Sequence, residues 1–193
     1  MKIIFLDTPA FAKQDMIDAF EENEIQCDLF SHPSYQDRVN ASFESDFFKF
    51  VESDHYSFVF SFNYFPILSN CCQKYGIPYV SYVYDCPLTS LYSCSLINSC
   101  NYVFLFDKVT YYTFKNTGIQ TVFYLPLAAN VQRLSKLICP PELCSKLSSE
   151  VSFVGSLYNE DHNFFERLTS ISDYTRGYLN AIMAAQQQVY GQS

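Results

Sequence analysis

Glycine, tryptophan and basic residues are scarce in this chain of 193 residues. The 5 glycines lie too far apart to form G-x-G-x-x-G or a P-loop, so the usual nicotinamide-cofactor and P-loop NTPase motifs are missing. The 12 Lys and Arg residues stand against 20 Asp and Glu, and the net charge is -8. No basic stripe is therefore available to follow nucleic-acid phosphates. These absences exclude three function classes: dinucleotide-dependent enzymes, P-loop NTPases and nucleic-acid-binding proteins.

Metal-binding and membrane-spanning patterns are also missing from the sequence. The 8 cysteines have irregular spacings without a C-x-x-C pair, and none of the 3 histidines lies at a ligand-like spacing from them. We therefore expect reduced, mostly buried thiols and no metal site. The apolar run at residues 3–6 is too short for a signal peptide, and no run approaches the ~20 residues of a membrane span. The sequence predicts a cytoplasmic protein without a membrane span.

Short apolar segments alternate with segments of helical length as far as residue 125. The apolar segments predict strands at residues 2–6, 25–30, 56–60, 79–82, 102–106 and 121–125. Between them, helices are predicted at residues 9–24, 43–52, 65–75, 89–98 and 108–117. Continuously apolar strands between helices are typical of a parallel sheet that is covered on both faces. The sequence thus predicts an α/β fold, a Rossmann-like doubly wound parallel sheet in three α/β/α layers.

The regular alternation ends after residue 125. A linker leads to a seventh predicted strand at residues 150–154, and a helix-prone stretch follows at residues 161–189. We interpret residues 1–130 as a complete Rossmann-like domain and residues 131–193 as a linker with the truncated start of a second domain. Since a truncated domain leaves apolar surface uncovered, we also expect self-association of the chain.

Polar residues follow most of the predicted strands. Ligands of open parallel sheets bind at the carboxyl ends of the strands, so a site is predicted there. The candidate residues are Asp7 and Thr8 after the first strand, Asn63 and Tyr64 after the third, Tyr84 and Asp85 after the fourth, and Asp107 after the fifth. Gly155 and Ser156 follow the seventh predicted strand, where a backbone N–H can approach a phosphate, although a plain strand-to-helix turn needs a glycine as well.

Asp85 is the candidate catalytic residue. Tyr82, Tyr84 and Pro87 flank it in the sequence. We expect them to shield its carboxylate from water and so make it a better general base. The alternative is that Asp85 caps a helix that begins near Pro87.

The other candidate residues also have structural roles as alternatives to ligand binding. Asp107 directly precedes a predicted helix, which favours an N-cap role. Asn63 either binds a sugar hydroxyl or satisfies its own turn, and Asp7 is equally ambiguous. Most of the 19 phenylalanines and 16 tyrosines are expected in the core, while Tyr64 and Tyr84 remain candidates for the ligand crevice.

Five segments together resemble one protein family. They are residues 60–66 (FSFNYFP), 76–88 (GIPYVSYVYDCPL), 104–108 (FLFDK), 125–128 (LPLA) and 152–158 (SFVGSLY). They resemble the N-terminal region of bacterial glycosyltransferases of the spore-maturation-protein type. In that family a domain of unknown function precedes a group 1 glycosyltransferase domain. The resemblance spans nearly the whole chain, although members of the family are longer.

The resemblance implies a GT-B architecture, in which two Rossmann-like domains face each other across a cleft. This chain would supply the acceptor-side domain, while the donor-side domain would hold most contacts to a nucleotide-sugar co-substrate. The acceptor would be a carbohydrate or another hydroxyl-bearing compound, and neither a cofactor nor a metal ion is implied. Asn63, Tyr84 and Asp85 fall on motifs that face the cleft, Gly155 falls on the first turn of the donor domain, and many members have Trp where Tyr82 stands.

The sequence is therefore compatible with two functions. In the first, Asp85 deprotonates an acceptor hydroxyl in a complete glycosyltransferase, and the 193 residues alone are inactive or nearly so. In the second, the chain is a non-catalytic binding or interaction module with a Rossmann-like fold.

Overall fold

The computed structural model describes residues 1–155, 165 and 168–189 of the chain. The chain divides into two compact units, Met1–Leu137 and Ile138–Ser193. The first unit contains every strand in the described part of the chain and all but two of its α-helices. The candidate site belongs to this first unit.

A six-stranded sheet forms the centre of the first unit. Its strands are β1 (Lys2–Leu6), β2 (Gln26–Phe30), β3 (Val59–Phe62), β4 (Tyr79–Val83), β5 (Asn101–Leu105) and β6 (Val122–Tyr124). They are arranged in the order β2-β1-β3-β4-β5-β6, and every neighbouring pair is parallel. The winding direction reverses between β1 and β3, which makes that point the topological switch of the sheet. The predicted Rossmann-like doubly wound α/β fold is thereby confirmed.

Helices connect these strands, and their ends follow local sequence signals. They are α1 (Lys13–Glu22), α2 (Ala41–Val51), α3 (Pro66–Tyr75), α4 (Lys108–Asn116) and α5 (Val131–Ser135). The side chain of Asn40 caps α2 by accepting from the Phe43 amide at 3.0 Å. Gly76 ends α3 with a φ of 84°, a left-handed conformation that glycine adopts without a steric penalty.

The predicted helix at residues 89–98 is replaced by two 3-10 turns, Thr89–Tyr92 and Cys94–Ile97. Ser93 separates them with an extended backbone (φ -89°, ψ 144°), and its Oγ accepts from the Ser95 amide. Serine side chains compete with helical hydrogen bonds in this way, which is why the helix is interrupted there.

Each face of the sheet packs against its own set of helices. On one face Phe43 and Phe47 of α2 are fully buried, in a cluster that also includes residues of α3 and α4. On the other face Phe20 of α1 lies over Phe5 and Phe60, whose rings meet edge to face at 4.9 Å. Full burial of such a side chain contributes roughly 1.5–3 kcal/mol. Many aromatic residues of the strands and helices thus belong to the core, while others, such as Tyr102 and Tyr112, are exposed.

The second unit contains α6 (Pro141–Leu147) and α7 (Asp173–Gln186). The prediction of a seventh strand at residues 150–154 is wrong, because these residues are exposed and form no strand. A strand needs a neighbour for its backbone hydrogen bonds, and the described part of this unit offers none. That residues 131–193 begin a second domain stays a prediction. No helix in the described ranges has the length and apolarity needed to cross a membrane.

A charged cluster of Lys2, Asp28, Asp54 and Tyr56 lies towards the amino-terminal edge of the sheet, opposite the predicted site. Lys2 Nζ lies 2.8 Å from Asp28 Oδ2 and 2.7 Å from Asp54 Oδ2. Tyr56 donates its hydroxyl to the same Asp28 oxygen at 2.6 Å. Hydrogen bonds from Lys2 are the main reason why the pKa values of Asp28 and Asp54 are lowered.

We expect the Lys2→Met variant to be less stable than the parent at neutral pH, with a urea midpoint lower by about 0.3 M. A carboxyl whose pKa is lowered by folding stabilises the folded state above its unfolded-state pKa, and this contribution is lost as the pH falls. The difference in midpoint should therefore persist from pH 7 to about pH 5 and shrink towards pH 3. The raised pKa of Lys2 affects stability only at strongly alkaline pH.

The matched control is Lys136→Met, since Lys136 is exposed and forms no ion pair among the described residues. Its urea midpoint should follow that of the parent at every pH. An equal difference between Lys2→Met and the parent at pH 7 and pH 3 would contradict the assigned role of the cluster.

Candidate functional site

Asn63 is the structural centre of the candidate site. It follows β3 with a φ of 57°, in the left-handed region that asparagine tolerates better than most residues. Its backbone oxygen accepts from the hydroxyls of Ser61 at 2.7 Å and Ser81 at 3.0 Å. Its side-chain Oδ1 accepts from the amides of Tyr84 at 3.2 Å and Asp85 at 3.3 Å. Asn63 therefore fixes the loop after β4 to the end of β3.

The same side chain orients Asp85. Asn63 Nδ2 donates to Asp85 Oδ2 at 2.7 Å, whereas Asp85 Oδ1 has no partner in the described part of the chain. The capping alternative fails, because the 3-10 turn that follows has Leu88 at its N-cap and no side-chain capping bond. The structure thus presents one carboxylate oxygen held in place and one oxygen free.

The expected shielding of Asp85 is wrong, because the residue is exposed. The Tyr82 hydroxyl donates to the carbonyl of Pro126 at 2.7 Å instead of covering the carboxylate. Tyr84 packs its ring edge to face against Phe62, with centroids 5.4 Å apart. Both neighbouring tyrosines are thus engaged elsewhere, and Asp85 remains open to solvent.

A buried hydrogen-bond network supports Asn63 from behind. The Tyr79 hydroxyl lies 2.7 Å from Ser61 Oγ and accepts from the Phe65 amide at 3.1 Å. Burial raises the pKa of Tyr79, so its phenol remains protonated. Sequence reasoning placed these residues in the core and missed this role. The available signal was a serine at matching positions of two apolar strands, since Ser61 of β3 pairs with Ser81 of β4.

A cavity of about 430 Å³ lies in front of Asn63 and Asp85. The loops after β1, β2, β3 and β4 and the first 3-10 turn form its walls, so it sits at the switch point of the sheet. A second cavity, of about 300 Å³, lies between α1 and residues 128–132. Because it does not include Asn63 or Asp85, we place the candidate site in the first cavity.

Two further predicted residues line this cavity. Thr8 is nearly buried, with 6% of its surface exposed. Tyr84 is half-buried, and its pKa is raised mainly by burial and further by the negative charge of Asp85. The structure therefore brings Thr8, Asn63, Tyr84 and Asp85 together around one space.

The remaining predicted residues serve other contacts. Asp7 forms an ion pair with Lys13 at 2.6 Å. Tyr64 lines the cavity without exposing its surface, and its buried hydroxyl lies 2.8 Å from Ser95 Oγ. Asp107 caps α4 by accepting from the Thr110 amide at 2.6 Å, and this hydrogen bonding lowers its pKa. For Asp107 the N-cap interpretation is the one that the structure supports.

The two glycine-turn candidates lie in the second unit. Gly155 follows the exposed residues 150–154, and Ser156 lies outside the described residues.

The cysteines form no metal or disulfide site in the described ranges. All 8 are free thiols, and no group of three or more His, Cys, Asp or Glu side chains there is placed to hold a metal ion. The expectation of mostly buried thiols is wrong, since only Cys71 and Cys72 are buried and four cysteines are exposed. The exposed ones lie in the loop and 3-10 region after β4 and in the second unit, where little packs against them.

Comparison with known proteins adds no relative. The chain matches no protein-family model, no curated protein and no solved structure at a significant level. The function is therefore argued from the geometry of the site together with the resemblance read from the sequence.

Proposed function

We propose that this chain is the acceptor-side half of a GT-B glycosyltransferase, which transfers a sugar from a nucleotide-sugar to a hydroxyl-bearing acceptor. The observation that carries the proposal is the Asn63–Asp85 pair at the switch point of the sheet. One Asp85 oxygen is fixed at 2.7 Å from Asn63 Nδ2, and the other is free beside a cavity of about 430 Å³. An oriented carboxylate beside a cavity is the arrangement that a general base requires.

In the proposed reaction an acceptor hydroxyl donates to the free Oδ1 of Asp85. Its oxygen forms a bond to the anomeric carbon of the donor sugar while the bond from that carbon to the phosphate oxygen breaks. Asp85 takes the hydroxyl proton, and the nucleoside diphosphate leaves with the electron pair of the broken bond. Asn63 keeps the base in position and so reduces the motion that would be lost on reaching the transition state.

The charges around the cavity favour an enzyme in which the donor and the acceptor bind to different domains. Its lining, within the described residues, contains Asp85 but no Lys, Arg or His. A nucleoside diphosphate requires cations or a glycine-rich helix start, and this cavity provides neither. The donor would therefore bind to another domain, as the resemblance implies, while this domain holds the acceptor.

The 193-residue chain is expected to release no nucleoside diphosphate from nucleotide-sugars above the uncatalysed rate. A protein that extends the chain by a donor-binding domain should turn over at least about 100-fold faster with a suitable acceptor, because both substrates are then held together. Release of nucleoside diphosphate in a coupled assay measures both proteins under identical conditions.

The alternative function, a non-catalytic binding module, gains support from the exposure of Asp85, because a solvated carboxylate is an unremarkable base. Sugar transfer by the 193 residues alone would contradict the proposal that the donor binds to another domain. Absence of a donor-type domain from both the longer protein and its partners would leave the binding module as the function.

A further inference from the structure

We infer that the cavity binds an uncharged polyhydroxylated compound, a neutral sugar ring, with Thr8 and Tyr84 as hydrogen-bond partners. The inference rests on the proposed function in one respect: the bound sugar is the acceptor only if the chain is part of a glycosyltransferase. It commits to the charge class of the ligand and excludes phosphorylated and carboxylated sugars. Binding itself is measurable without a donor, so the inference has its own test.

Thr8 is the first observation. Its side chain is more than nine-tenths buried, yet its hydroxyl has no hydrogen-bond partner among the described residues. In those residues no polar side-chain atom that is sealed from solvent lacks a partner, so the Thr8 hydroxyl is accessible to solvent, and Thr8 lines the cavity. A hydroxyl that the protein leaves without a partner is free to form a hydrogen bond with a ligand. A ligand hydroxyl in the cavity supplies the missing partner.

Tyr84 and Thr89 provide two further hydroxyls without partners. Both residues line the cavity, and neither hydroxyl forms a hydrogen bond in the described part of the chain. The edge-to-face contact with Phe62 fixes the ring of Tyr84, so its hydroxyl is held in one place. Together with the free oxygen of Asp85, the cavity offers three hydroxyls and one acceptor, which suits a ligand with several hydroxyl groups.

The apolar part of the wall suits the carbon face of a sugar ring. Tyr35 and Phe65 are half-buried and pack edge to face, with centroids 5.3 Å apart. Ligand cavities combine such aromatic surface with a few fixed polar groups that set orientation. The cavity therefore has both components that recognise an uncharged sugar.

Charge decides between neutral and anionic sugars. The lining includes the Asp85 carboxylate and no basic side chain. Lys13 follows the cavity residues Thr8 and Pro9 in the sequence, but its Nζ lies 2.6 Å from Asp7 Oδ1 and already forms an ion pair there. A carboxylate or phosphate on the ligand would meet a like charge without a counterion, which opposes binding.

The test compares neutral hexoses with their own uronic acids. Glucose, galactose and mannose are titrated into the 193-residue chain in parallel with glucuronic, galacturonic and mannuronic acid. Backbone amide shifts of Thr8, Asn63 and Asp85 report binding. At least one neutral hexose should bind with a Kd in the millimolar range, and its uronic acid should bind at least about ten-fold more weakly. Equal or tighter binding of the uronic acid, or no neutral hexose binding below about 100 mM, overturns the inference.

Two variants connect the result to the named residues. Thr8→Val removes the hydroxyl at nearly constant size and should weaken the neutral hexose about five-fold. The matched control is Thr113→Val on α4, where the hydroxyl donates to the Val109 carbonyl and an unchanged affinity is expected. Thr89→Lys adds a cation to the wall and should strengthen the uronic acid about ten-fold relative to the hexose. Unchanged affinities in both cavity variants would contradict the assigned site.

Failure of this inference is distinguishable from failure of the proposed function. Neutral-sugar binding without transfer by the extended protein would overturn only the glycosyltransferase proposal. Transfer to an anionic acceptor would overturn only the charge class inferred here.

Discussion

The Asp85→Asn variant of the protein that includes a donor-binding domain is expected to lose most of its transferase activity, with kcat lowered about 100- to 10,000-fold. Asparagine has nearly the same shape and can still accept from Asn63 Nδ2, so the fold and the loop after β4 should be retained. What is lost is the capacity to take the acceptor proton. The effect should fall on kcat, while binding of a neutral acceptor changes by less than about five-fold.

Asp18→Asn is the matched control, since Asp18 lies on α1 and, among the residues that the structure describes, accepts only from the Gln14 amide group. Its kcat should equal that of the parent, and the urea midpoints of all three proteins should agree. Product formation is followed by release of nucleoside diphosphate at saturating donor. A kcat for Asp85→Asn within about three-fold of the parent would remove Asp85 as the base and favour the binding module.

Local signals were sufficient to predict most of the first unit. A helix is predicted at residues 65–75, and α3 ends at Tyr75 with Gly76 in the left-handed conformation. Apolar segments of six residues or fewer predicted strands, and all six form one parallel sheet. Such features depend on neighbours in sequence, which is why a single sequence reveals them.

The failed predictions depend on contacts that are distant in sequence. The apolar residues 150–154 satisfy the local pattern of a strand but have no partner strand in the described part of their unit. The tyrosines beside Asp85 were expected to shield it, yet contacts to Pro126 and Phe62 direct them elsewhere. Side-chain direction is settled by packing and not by adjacency along the chain.

The candidate site was likewise predictable in part. Its position at the carboxyl edge of the sheet followed from topology, and Thr8, Asn63, Tyr84 and Asp85 meet there. The hydrogen bonds that make Asn63 the organising residue were not predictable, because they require the left-handed turn and the paired serines of β3 and β4. The sequence therefore predicted residues that meet at one cavity but not the hydrogen bonds by which Asn63 arranges them.

A buried asparagine holds the 3-10 region that follows β4. Asn101 of β5 is 2% exposed, and its Nδ2 donates to the carbonyls of Ser95 at 2.8 Å and Leu96 at 3.1 Å. Its Oδ1 accepts from Ser69 Oγ at 2.8 Å. These bonds attach the second 3-10 turn to the sheet and to α3. The first 3-10 turn, which precedes it across Ser93, includes Thr89 and Ser90 of the cavity wall.

Asn101→Leu should lower the free energy of unfolding by about 3 kcal/mol, since it keeps the volume but removes one buried acceptor and both donors. Such a loss is a large share of the roughly 5–15 kcal/mol of a typical domain. Urea unfolding followed by tyrosine absorbance and far-UV dichroism measures it. Amide exchange of residues 89–97 should accelerate as well, because the 3-10 turns lose their attachment to β5.

The control substitution uses the same chemistry at a solvated position. Asn116→Leu at the end of α4 is exposed and should change the unfolding free energy by less than about 0.5 kcal/mol. If Asn101→Leu costs less than about 1 kcal/mol, the network does not hold the 3-10 turns. A loss near the expected size, with weaker neutral-sugar binding in the fraction that remains folded, would show that the cavity depends on this attachment. The cavity of the first unit then depends on two asparagines, the half-buried Asn63 directly after β3 and the buried Asn101 at the start of β5.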